Sequence, residues 1–207
     1  MNTLDLAAHG PVIPVIVIDR LDDAVPMAQA LVDGGVWVLE VTLRTAIALK
    51  CIEAIARAVP EAILGAGTVR SAADARSAKD AGCRFAVSPG YTSLIGQACR
   101  DIDLPLLPGI ATGSEVMQAN ADGYFFLKFF PATQAGGIAM LKAFAGPFTD
   151  VLFCPTGGIS AATAPQFLAL ANVKVCGGSW LTPADAVAEK DWARITRLAR
   201  EAGALRA

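Results

Sequence analysis

Histidine is all but missing from this chain: His9, near the N-terminus, is the only one in 207 residues. A Ser-His-Asp or Cys-His machine would have to be built around that residue, and a metal site of several histidines cannot be built. Acid–base chemistry therefore falls mainly to carboxylates, lysine, tyrosine or water. Paired cysteines are missing too. Cys51, Cys83, Cys99, Cys154 and Cys176 are scattered, odd in number and never spaced C-x-x-C. Neither a zinc site nor a disulfide framework is expected; small buried hydrophobes in a reducing compartment are. Charge is sparse, with 17% charged residues and a net charge of −2, so no broad basic surface awaits a nucleic acid or an anionic membrane. Apolar runs such as Val15–Ile18 are far too short to cross a bilayer. Residues 1–10 have neither a basic region nor an apolar core, so no signal peptide is expected and a cytoplasmic location is. Linkers, charge runs and low-complexity stretches are absent, and residues 1–207 are expected to form one domain.

What is present is apolar sequence, 54% of the chain, enough for a sizeable core. Short β-like runs alternate with helical stretches from end to end. The expected strands are Val12–Ile18, Val36–Leu43, Ala62–Gly65, Arg84–Ser88, Pro105–Leu107, Tyr124–Phe129, Val151–Cys154 and Val173–Cys176. Helices are expected at Asp22–Asp33, Ala46–Val59, Ala72–Ala81 with Ser71 as N-cap, Ser93–Arg100, Ser114–Ala119, Ile138–Phe144, Ala164–Ala171 and within Ala184–Ala204. Eight βα units with near-continuous apolar strands imply an α/β fold, a parallel eight-stranded (β/α)8 TIM barrel. The alternative, an open doubly wound sheet, is disfavoured by the count and by the lack of G-x-G-x-x-G after the first strand.

Lys128 is the residue that asks for a chemical explanation. It sits in Tyr124–Pro131, a run holding five of the fourteen aromatic residues. A lysine desolvated in such a place tends to lose its proton, and a neutral amine attacks ketone or aldehyde carbonyls. The bland alternative is a strand-end lysine that reaches water or a carboxylate. On the second strand Glu40, Thr42 and Arg44 share one face, and Leu39, Val41 and Leu43 the other. The apolar set should meet the helices, leaving Glu40 and Arg44 toward the barrel interior or mouth. By the same parity Lys128 shares a face with Tyr124 and Phe126. Glu40 and Lys128 form a candidate catalytic pair; a structural ion pair is the competing reading.

Other polar residues collect at strand ends, where barrel active sites lie. Thr68 follows Gly65-Ala66-Gly67 and could bind a carboxylate, although a threonine after glycines is more often a turn or cap. Ser88-Pro89-Gly90 and Pro108-Gly109 are adequately explained as turns. The seventh and eighth strands run into Gly157-Gly158 and Gly177-Gly178-Ser179, the two loops between which barrels frequently bind phosphate through backbone N–H groups.

Taken together these residues resemble the 2-keto-3-deoxy-6-phosphogluconate (KDPG) and 4-hydroxy-2-oxoglutarate (KHG) aldolase family. The resemblance lies in Pro11–Ile16, Glu40–Thr45, Gly65–Val69, Ser88–Gly90, Lys128–Ala132, Phe153–Ile159 and Gly177–Trp180. It implies a class I aldolase that needs no metal or cofactor, is usually trimeric, and acts on a small phosphorylated 2-keto acid. Cleavage of KDPG gives pyruvate and glyceraldehyde 3-phosphate; 4-hydroxy-2-oxoglutarate is the expected second substrate, yielding pyruvate and glyoxylate. The resemblance assigns Lys128 to the Schiff base and Glu40 to proton transfer. It puts Arg44, Thr68 and Pro89 around the pyruvyl end, and Gly157, Gly158, Gly178 and Ser179 at the phosphate. The alternatives are a family member preferring another 2-keto-3-deoxy acid, and a phosphate-binding barrel isomerase or synthase without a covalent lysine.

Overall fold

The computed structural model describes residues 2–205, so residues 1, 206 and 207 of the expected domain lie outside the described residues. A 3-10 helix, Thr3–His9, comes first; Asn2 and Asp5 cap it reciprocally. No element was expected there, yet Asn2 and Asp5 have the spacing of a capping box. The rest alternates: β1 (Val12–Ile16), α1 (Leu21–Asp33), β2 (Val38–Thr42), α2 (Ala48–Ala58), β3 (Ile63–Gly67), α3 (Ala72–Asp80), β4 (Phe85–Val87) and α4 (Ser93–Asp101). Then come β5 (Leu106–Leu107), β6 (Gly109–Ile110), α5 (Gly113–Ala121), β7 (Phe126–Phe129), α6 (Gly137–Phe144) and β8 (Leu152–Pro155). Last are α7 (Ala164–Leu168), β9 (Cys176–Gly178), α8 (Ala184–Ala188) and α9 (Trp192–Gly203). Ser71 caps α3 as expected, accepting from Asp74 N at 3.1 Å.

All the strand pairings are parallel, in two sheets ordered β5-β4-β3-β2-β1-β9 and β6-β7-β8. The fold is therefore α/β with a parallel sheet, but its ladders do not form the single eight-stranded ring that was expected. One break is at Pro108. Proline has no N–H to give a ladder, so the segment that pairs β4 through Leu106–Leu107 and β7 through Gly109–Ile110 is cut in two. Pro108-Gly109 is thus not simply a turn: Gly109 carries strand pairing directly to Lys128. On the other flank, β8 meets the chain around β9 through two isolated bridges, Phe153 with Val173 and Thr156 with Gly177.

The strands are buried on both faces. Leu39 and Val41 pack with Ile52 and Ile55 of α2 and Leu31 of α1, as the strand parity requires. The opposite faces supply a separate cluster that contains no α-helical residue: Ile13, Val38, Ile63, Phe85, Val87, Leu107, Phe126, Cys154 and Val175, with Leu6 of the 3-10 helix. Val38, Ile63, Phe85 and Phe126 are the first residues of their strands, so Leu6, fully buried, closes that end. Burying such a side chain contributes about 1.5–3 kcal/mol.

Candidate active site

Glu40 and Lys128 stand third in β2 and β7, two residues beyond the closing layer. Lys128 is held in register by Gly109 on one side and Cys154 on the other. Its Nζ lies 3.2 Å from Glu40 Oε1, with the two side chains 5% and 4% exposed. Such a pair is kept only because each partner compensates the other's desolvation; removing one leaves a buried charge and costs about 3–5 kcal/mol. Room for the carboxylate comes from β3. A Cβ on Gly67 would collide with Glu40 Oε1 and stand 2.8 Å from Glu40 Cγ. Lys128 Nζ also faces the Phe130 ring, 5.2 Å from its centroid. The neighbouring thiol, Cys154, is buried as well. Burial pushes Cys154 up to about 12, despite the opposing charge of Lys128. Tyr124 does not share the Lys128 face as parity suggested. It precedes β7, and its hydroxyl donates outward to Gly96 O at 3.2 Å.

A cleft of about 260 Å³ is lined by Arg44, Phe130, Thr156, Gly157, Gly158, Gly178 and Ser179, together with Val15, Val17 and Ile159. Five of the nine sequence-predicted residues thus meet at one opening. Arg44 lies past the end of β2 and is exposed; its Nε donates to Thr68 Oγ1 at 3.3 Å. Thr68 has φ 63°, a region a β-branched residue rarely adopts. Pro89 is half-buried and does not line the cleft; it packs against β6, where a Cβ on Gly109 would stand 2.5 Å from Pro89 C.

The two glycine pairs differ physically. Gly157 and Gly158 are in a loop at φ 103° and 75°, accessible to glycine at no steric cost. Gly177 and Gly178 are inside β9 rather than after it. Their small size makes room for neighbours, since a Cβ would strike Thr156 Oγ1 at Gly177 and the Trp180 ring at Gly178. Sequence reasoning gave no role to Thr156, buried beside Cys154, or to Thr133, whose hydroxyl donates to Gly157 O at 3.1 Å. The signal for Thr156 was its parity with Cys154 on β8. Among the described residues no group of three or more metal-ligating side chains is brought together.

A profile of the family described as KDPG and KHG aldolase matches residues 5–198. A KHG/KDPG aldolase of Escherichia coli is 55% identical over 93% of this chain and 91% of its own. A 2-dehydro-3-deoxy-phosphogluconate aldolase of Pseudoalteromonas atlantica is 50% identical over 98% and 94%. Among solved structures, KDPG aldolase from Legionella pneumophila, with pyruvate captured at low pH as a covalent carbinolamine, superposes with a TM-score of 0.96. It is 45% identical and covers 99% of both chains.

Proposed function

The chain belongs to the KDPG and KHG aldolase family, and on that premise we propose how its own residues carry the reaction. It is a class I, Schiff-base carbon–carbon lyase, cleaving 2-keto-3-deoxy-6-phosphogluconate to pyruvate and glyceraldehyde 3-phosphate, and 4-hydroxy-2-oxoglutarate to pyruvate and glyoxylate. Lys128 Nζ attacks the C2 ketone, and loss of water from the carbinolamine leaves a protonated imine. The carbinolamine held by the Legionella relative supports this first step. The imine withdraws electrons, the C3–C4 bond breaks, and the C4 hydroxyl gives its proton to Glu40, directly or through a water. The remaining enamine is protonated at C3 and hydrolysed to pyruvate, freeing Lys128. Arg44 offers its guanidinium to the substrate carboxylate, and Thr68 holds that guanidinium in place. Pro89 supports the pyruvyl end through its packing on β6. Gly157, Gly158, Gly178 and Ser179 take the phosphate.

The observation that carries this reading is the buried contact of Lys128 Nζ with Glu40 Oε1 at 3.2 Å, the nucleophile and its proton partner in one site. The test is incubation with pyruvate and borohydride followed by peptide mass spectrometry. One pyruvyl adduct is expected, on the peptide containing Lys128; an adduct on Lys142 or Lys174 instead would overturn the assignment.

The same proposal covers architecture and assembly. Counting β5 and β6 as one strand broken at Pro108, and joining β8 to β9 through their bridges, closes an eight-stranded barrel around the helix-free inner cluster; that cluster supports the closure. The chain acts as a homotrimer in the cytoplasm. Leu94 and Met117, 85% and 65% exposed, support a covered face. Their helices, α4 and α5, are tied by Gln118 Nε2 donating to Ser93 Oγ at 3.1 Å. The five free, buried cysteines suit a reducing compartment. No helix among the described residues is long and apolar enough to cross a membrane.

A further inference from the structure

A second cleft, of about 310 Å³, opens beside the first and shares Val15, Val17 and Ser179 with it. Arg20, Asp19 and Asp23, at the start of α1, line it. Asp23 is only 5% exposed. Its Oδ1 is the one buried side-chain nitrogen or oxygen among the described residues that receives no hydrogen bond. Its Oδ2 lies 3.8 Å from Arg20 Nε, outside hydrogen-bond reach, and the Arg20 side chain is 67% exposed. Burying a carboxylate is costly unless it is paired and hydrogen-bonded. A guanidinium has five N–H donors, so it can hold a carboxylate on one edge and a second anion on another.

The neighbouring cleft needs such a cation. Its only basic side chain is Arg44, which the proposed function commits to the substrate carboxylate. A phosphate dianion at Gly157, Gly158, Gly178 and Ser179 would be held there by uncharged donors, with the Asp19 and Asp23 carboxylates lining the adjoining cleft. We propose that Arg20 is a further phosphate-binding residue: tethered to the buried Asp23 carboxylate, it swings across Ser179 and clamps the substrate phosphate. Asp23 acts as a positioning residue for that clamp. The inference rests on the reading of the glycine pairs and Ser179 as the phosphate end.

The test compares kcat/KM on 2-keto-3-deoxy-6-phosphogluconate with kcat/KM on 4-hydroxy-2-oxoglutarate, which carries no phosphate. Wild type, Arg20→Gln, Arg20→Lys and Asp23→Asn are measured. In Arg20→Gln the ratio falls about tenfold, the size of one lost hydrogen bond to a charged group. The loss appears in KM and leaves kcat for the phosphorylated substrate little changed. Arg20→Lys restores most of it. Asp23→Asn lowers the ratio in the same direction, again through KM, and inhibition by inorganic phosphate weakens in both Arg20→Gln and Asp23→Asn. An unchanged ratio in Arg20→Gln, or equal losses on both substrates, overturns the proposal. Borohydride trapping of pyruvate on Lys128 separates the two levels: an Arg20 variant that traps normally while the ratio stays fixed sinks the clamp alone, whereas a wild type that shows no phosphate inhibition sinks the phosphate site beneath it.

Discussion

At the scale of single residues, Glu40 and Lys128 are distinguished less by their identity than by where they are kept. Glu40→Gln keeps the shape and removes the proposed base, so kcat should drop by about 10²–10⁴-fold while the imine still forms slowly. Steady-state turnover alongside borohydride trapping checks this, and near-normal turnover would return Glu40 to a structural ion pair. Lys128 was legible in the sequence because lysine among so many aromatics is out of place, and Glu40 because side chains on a strand alternate. In the sequence Gly67 stands out only as one of the small residues before Thr68, which says nothing of its neighbour. Its bareness serves the Glu40 carboxylate across the β2–β3 ladder, and that need arises only once two distant segments pair in a particular register. Thr133 was invisible for the same reason: its partner, Gly157 O, belongs to another loop.

At the scale of elements, the alternation of strand and helix was plain from hydrophobic period and caps, while the strand ends were not. The eighth strand was expected at Val173–Cys176 and lies at Cys176–Gly178. Local propensity disfavours glycine in strands, and only pairing with Ile13 and Pro14 places Gly177 and Gly178 there. Pro108-Gly109 misled in the same way, since its turn chemistry was genuine but β4 and β7 flank it on both sides. Gly109 is the hinge of that arrangement. Its N–H donates to Ser88 Oγ at 3.3 Å, and a Cβ there would stand 2.5 Å from Ser88 O and Pro89 C. These are backbone atoms that cannot rotate away. Gly109→Ala should therefore cost about 1–3 kcal/mol of overpacking and displace β6 against Lys128. Urea unfolding should show the loss of stability, and single-turnover imine formation should slow beyond what that loss explains.

At the scale of the whole molecule, the cysteines act together. Burial pushes Cys99 up to about 11, Cys83 and Cys154 up to about 12, and raises Cys51 and Cys176 as well. A thiol in the unfolded chain ionises near 8.5. The folded state therefore holds protons that the unfolded state releases, so this part of the stability is complete below about pH 8.5 and declines as pH rises toward the folded values. Thermal melts from pH 8 to 10.5 should show a falling Tm, and a flat profile would contradict it. Native protein at pH 8 should resist iodoacetamide, whereas denatured protein should take five labels. Assembly is the other property at this scale. Leu94→Asp with Met117→Asp should lower the mass seen by light scattering from trimer to monomer if that face is covered; a trimer that persists places the interface elsewhere.

The plug at Leu6 has a temporal meaning. Residues 2–9 are made before their surroundings: the pocket that receives Leu6 is walled by residues from Ile13 to Val175. The segment must therefore wait, solvated, until translation has passed Val175 and supplied its walls, and loop closure over that span is among the slowest contacts a fold can make. Docking of this early-made segment is then a late event of biogenesis, and a bulky fusion placed ahead of Asn2 should hinder maturation more than an equal one after Leu205.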